Sequence, residues 1–98
     1  MSSSTEIFTF FQEQNISNKY VNSIQDWYNK KGEITEKQVS LLKDIYKNYK
    51  FIKMLFENFN QEQIDDNDFI KSLYTQFNKT GSLSKKQIQC LEKAVSKL

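Results

Sequence analysis

The chain has 98 residues and a formal net charge of +2, with 38% hydrophobic residues, two Gly, one Cys and neither Pro nor His. That length makes one domain, residues 1–98, and the charge is too small to demand a polyanionic partner. Without His there is no imidazole base and no Ser-His or Cys-His nucleophile; structural zinc lacks its usual ligands, and a single Cys forms no intrachain disulfide.

Scarce Gly and Pro argue against the many turns of an all-β domain and for helices joined by short turns. Eight Phe, five Tyr and one Trp supply rings enough for a core at this size. No apolar run approaches the roughly 18–20 residues of a membrane span, and MSSSTEIF lacks the basic start and apolar run of a signal peptide. The expectation is a soluble protein of the cytoplasm.

From the start, Ser3 and Glu6 are spaced as a capping box for a short helix over 4–14, with Ile7, Phe10 and Phe11 on one face. After a break at 15–17, Ser17 is placed to cap a second helix reaching about Lys30. Its stripe is Tyr20, Ile24, Trp27 and Tyr28 with Val21 beside them, and Gly32 ends it. Thr35 and Gln38 form a second capping box. The third helix carries Val39, Leu42, Ile45, Tyr46 and Tyr49, and apolar spacing continues through Ile52, Leu55, Phe56 and Phe59. Continuity into one long central helix is favoured over a kink near Asn48. Residues 61–67 read as an acidic break, with Asp66 capping a helix that turns Phe69, Ile70, Leu73 and Phe77 inward until Gly81. Ser84 and Gln87 open the last helix, with Ile88, Leu91, Ala94, Val95 and Leu98 on its apolar side.

The two hairpins match each other. Tyr20 to Leu42 reads YVNSIQDWYNKKGEITEKQVSLL, and Phe69 to Leu91 reads FIKSLYTQFNKTGSLSKKQIQCL; they align without a gap at an offset of 49. Extended outward, the repeats cover 10–47 and 59–96. The expected fold is all-α: two tandem helical hairpins from an internal duplication, related by a pseudo-two-fold, with five to six helices.

Chemistry is thinly provided. All 14 basic residues are Lys, so no Arg clamps a phosphoryl group, and no glycine-rich phosphate loop is present. Set against a calcium loop, the segments around Gly32 and Gly81 lack carboxylates at the first and last ligand positions. Cys90 stands where the first repeat has Leu41 and reads as a small apolar residue near the packed face. No cofactor or metal is expected, and no enzymatic activity.

Charge distinguishes the repeats. Residues 69–98 hold six Lys and one acid, whereas 20–49 hold five Lys and four acids. Lys30, Lys37, Lys71, Lys79, Lys85 and Lys86 are candidates for a nucleic-acid backbone or an acidic protein partner, and without Arg such contact would read little sequence. Large apolar residues unmatched in the other repeat, Trp27 against Gln76 and Tyr74 against Gln25, are candidates for a partner surface.

The shared pattern S-[IL]…G-x-[IL]-[ST]-x-K-Q, best seen at Ser72-Leu73, Gly81, Leu83-Ser84 and Lys86-Gln87, resembles a small helical hairpin of phage and bacterial nucleic-acid-processing proteins. The resemblance implies a module of phage or mobile-element biology and no catalytic residue. Abundant Lys and Asn suggest an AT-rich coding sequence, which points to a phage, another mobile element or an AT-rich bacterium. The expected function is a non-enzymatic binding protein, phage-encoded, that docks on or inhibits a larger nucleic-acid-processing or host-defence complex. Two alternatives stand beside it: direct, sequence-nonspecific binding of nucleic-acid backbone through the second hairpin's Lys, and a structural homodimer.

Overall fold

The computed structural model describes residues 4–98, so Ser3, and with it the first capping box, lies outside the described residues. Six helices follow one another: α1 (Ser4–Glu13), α2 (Lys19–Lys31), α3 (Glu36–Phe56), α4 (Gln61–Asp66), α5 (Asp68–Thr80) and α6 (Lys85–Ser96). The fold is all-α, and its extents are 46 × 22 × 20 Å.

Local sequence sets the helix ends. Asn15, at φ 56, takes the left-handed conformation that closes α1, and Ile16 N–H returns to the Phe11 carbonyl. Asn18 caps α2, its Oδ1 accepting from the amides of Tyr20 and Val21; Asn67 caps α5 in the same way, accepting from Phe69 and Ile70. Gly32 (φ 74) and Gly81 (φ 71) end α2 and α5. Thr35 with Gln38 and Ser84 with Gln87 form reciprocal capping boxes at the starts of α3 and α6. α2 and α5, and the starts of α3 and α6, therefore stand 49 positions apart, cap for cap.

Three expectations need correction here. The cap of α2 is Asn18, not Ser17, because the Ser17 N–H is drawn to the Lys79 carbonyl at 2.9 Å. Asp66 is the last residue of α4, and Asn67 caps α5. The acidic stretch 61–67 is mostly helix: Asn60 and Gln63 form a capping box of their own, and Gln61 Nε2 donates to Asp65.

The long central helix is present. α3 runs unbroken for 21 residues, about 32 Å at 1.5 Å per residue, because no Gly or Pro interrupts it and its apolar spacing never lapses. It stops where Asn58 Nδ2 donates to the Met54 and Leu55 carbonyls, meeting acceptors that a helix end leaves open. The positions of α1 shifted by 49 fall across the end of α3 and the turn after it, so the two halves differ there.

One core joins both hairpins, and Tyr49 sits at its middle. Its ring stacks on Phe77 at 4.9 Å and meets Phe10 and Phe11 edge-on at 5.2 and 5.6 Å, tying α1, α3 and α5 together. Burial of Ile7, Phe8, Ile24, Leu42, Ile52, Phe56, Ile70, Leu73 and Leu91 completes the core. Not every expected stripe residue belongs to it. Tyr20 (53% exposed) and Phe69 (51%) follow the caps of α2 and α5 and point outward, while Val21 and Ile70 beside them are buried; Leu98 is also exposed.

Candidate docking site

The two hairpin turns have the same backbone and opposite surroundings. At the second, a Cβ placed on Gly81 would meet Ile16 at 2.9 Å and Phe11 and Tyr49 at 3.5 Å. The end of α5 is sealed as well: Lys79 O accepts from Ser17 N–H at 2.9 Å, and Thr80 O from Asn18 Nδ2 at 3.2 Å. The segment leading from α1 into α2 thus forms a lid over the Gly81 turn. At the first turn a Cβ on Gly32 would meet no atom of the described residues within 4 Å. Gly32 N–H still closes onto Tyr28 O, yet among the described residues no donor beyond the helix reaches the Lys30 or Lys31 carbonyl.

The side chains around the bare turn differ accordingly. Gln76 of α5 exchanges two amide hydrogen bonds with Gln87 of α6, at 3.1 and 3.0 Å, bracing that hairpin. Trp27 occupies the corresponding place in the first hairpin, 43% exposed, with the Lys31 ammonium 5.7 Å from its ring centroid. Tyr28, also exposed, is tilted at 45° to the Phe8 ring, centroids 6.1 Å apart. Beyond the turn, Ile34, Glu36, Val39, Ser40 and Lys43 line a shallow hollow of about 310 Å³. The first hairpin therefore presents an exposed indole, a phenol and an open helix end, with the hollow beyond its turn.

Of the two unmatched aromatics, only Trp27 is offered to solvent in this way. Tyr74 is half-buried, edge-on to Phe56 at 5.1 Å, and serves the core.

The six candidate lysines are all exposed, and they fall into three groups. Lys79, Lys85 and Lys86 stand at the Gly81 turn, and Lys30 and Lys37 at the Gly32 turn. Since the start of α2 is bonded to the end of α5, the two turns are separated by the length of α2, about 18 Å. Lys71 lies eight residues before Lys79 on α5, about 12 Å along the axis. The helices do not bring the six into one patch.

Cys90 is exposed rather than packed, as is Leu41 at the matching place. It borders a groove of about 590 Å³ between α4, α5 and α6, with Gln63, Asp66, Phe69, Lys93 and Lys97. Among the described residues no three His, Cys, Asp or Glu side chains are grouped to hold a metal, and no helix is long and apolar enough to cross a membrane.

The lid was not read from the sequence, although a signal for it exists. At the offset of 49, Phe11 and Ile16 fall against Asn60 and Asp65, so only the first half of the chain carries apolar residues there. No protein family, curated protein or solved structure matches the chain.

Proposed function

We propose that this chain is a non-catalytic binding protein that docks on a partner protein through the tip of its first hairpin. One observation carries the reading: the same turn is built twice, and the copy that carries the exposed Trp27 is the one left uncovered. Trp and Tyr dominate the energetics of protein interfaces, because they bury large areas and lose little rotamer freedom. Lys30, Lys31 and Lys37 around the turn, with Glu33 and Glu36 among them, make a mixed polar rim for such a centre. The likeness of the hairpin to modules of phage nucleic-acid-processing proteins favours a target within a nucleic-acid-processing or host-defence assembly, which the bound protein would occupy or inhibit. Direct binding to nucleic-acid backbone through the second hairpin stands as the alternative, with Lys79, Lys85 and Lys86 at one turn and Lys71 about 12 Å along α5.

The test is an affinity capture from host lysate with wild-type and Trp27→Ala protein, each with and without nuclease. A protein retained by wild type after nuclease, and lost with the variant, supports the reading. Partners that vanish with nuclease would replace it with the lysine reading. Retention by both proteins would move the interface elsewhere, self-association through Trp27 would show as a dimer in sedimentation, and turnover of nucleic acid by the purified chain would end the non-catalytic reading.

A further inference from the structure

The docking reading leaves open what lands on the first hairpin, and the second hairpin supplies a template. We infer that the Gly32 turn is a receptor for a partner segment built like this chain's own Phe11–Asn18: a helix end, an aliphatic residue, one further residue and an Asn. The inference rests on the docking reading and names the chemistry of its partner.

The receiving turns share the backbone of their caps. Gly32 and Gly81 share the left-handed conformation, and each closes its helix onto the carbonyl four residues back, at 2.8 and 2.7 Å. At Gly81 the last two carbonyls of α5, of Lys79 and Thr80, are met by a backbone N–H and by an Asn side-chain amide. The equivalents at the first hairpin are the carbonyls of Lys30 and Lys31, which project from the helix end toward any donor that arrives. The contact over Gly81 is the branched side chain of Ile16, which packs where a Cβ would otherwise stand. Over Gly32 no atom of the described residues takes that space. A segment of this form would set an apolar branch on the glycine and two donors on the carbonyls, in place of water.

This chain does not furnish that segment twice. Phe11 and Ile16 are buried, and Ser17 and Asn18 are bonded to α5. The stretch that would be symmetric to them places Asn60 and Asp65 at the two apolar positions, and a carboxylate has no gain in packing against the glycine. A folded second copy has the same segment engaged and the same polar replacements, so the occupant is a different protein. The left-handed Asn15 that ends α1 adds a further mark: the partner's helix should close with Asn or Gly immediately before the aliphatic residue.

The probe is a synthetic peptide of residues 4–18 of this chain, titrated into isotopically labelled full-length protein and followed by amide and indole shifts. Saturable shifts at the Trp27 indole and at 28–35, with 78–84 unmoved, are expected. Peptides carrying Ile16→Asp or Asn18→Ala should bind about tenfold more weakly, the equivalent of one lost contact or hydrogen bond. Shifts confined to 78–84 would mean that the peptide merely displaces the chain's own lid, and would overturn the inference. So would equal binding by the altered peptides, or no saturation. These peptide changes leave the protein's fold untouched. If the peptide fails while a captured partner still depends on Trp27, this inference falls and the docking reading stands; if that dependence is also absent, both fall.

Discussion

Ile16 stands over Gly81, its Cγ2 2.9 Å from the point that a Cβ on Gly81 would occupy. That distance separates two glycines that are otherwise alike. Gly32→Ala meets open space and bears only the left-handed backbone, a loss of about 1–2 kcal/mol. Gly81→Ala bears the same strain and also forces a methyl into a buried branch point. Overpacking adds about 1–3 kcal/mol, for a total of about 2–5. Urea unfolding of the two variants checks the difference, and equal losses would mean that the lid is not seated on Gly81.

Asn18 and Asn67 make the same cap, but only Asn18 is buried and also donates, to Thr80 O. Asn67→Ala should cost about 1 kcal/mol, the ordinary worth of an N-cap. Asn18→Ala removes the cap and leaves a carbonyl in a partly buried contact without its donor, so about 2–3 kcal/mol is expected. Chemical denaturation would show it, and faster amide exchange at Ser17 in the Asn18 variant would place the extra loss at the lid.

Much of this architecture can be read from local signals. Gly32, Gly81 and the boxes Thr35–Gln38 and Ser84–Gln87 announce the hairpins because caps act within a few residues. Continuity of α3 follows from unbroken apolar spacing. The choice of Asn18 over Ser17 does not, because both are good caps and a bond to Lys79 decides between them. Tyr20 and Phe69 mislead for a related reason: aromatic residues beside a cap fit either face, and core shape selects Val21 and Ile70. At the candidate site, Trp27 is visible as a mismatch with Gln76. Its bare surroundings are not, since they depend on Ile16 reaching Gly81 and on nothing reaching Gly32. Lysine counts likewise carry no information on convergence.

Burial raises the Tyr49 hydroxyl above its ordinary value of 10.0, with smaller contributions from Tyr74 and Tyr46. The folded state then holds this proton more tightly than the unfolded chain. Below about pH 10 both states are protonated and the stability is fully present. As pH rises past that point the unfolded chain ionises first, so stability falls until the folded hydroxyl also titrates. Tyr49→Phe should leave urea midpoints near pH 8 little changed and flatten the decline that begins above about pH 10. An unaltered alkaline decline would show that Tyr49 contributes nothing to it.

Trp27 is the only Trp in the chain and takes the place of a bracing Gln, which makes it the sharpest handle on function. Its half-exposed indole should emit at long wavelength and be quenched readily by iodide. Trp27→Gln places an amide opposite Gln38, as Gln76 stands opposite Gln87, and so offers the first hairpin the brace of the second. The loss of indole contact and the gain of an amide pair are both small, and stability should change by less than about 0.5 kcal/mol. Partner capture should nevertheless be lost. A variant that folds normally and no longer binds assigns Trp27 to recognition. A variant destabilised by several times that amount assigns the indole to the core instead, and removes the main support for docking through the first hairpin.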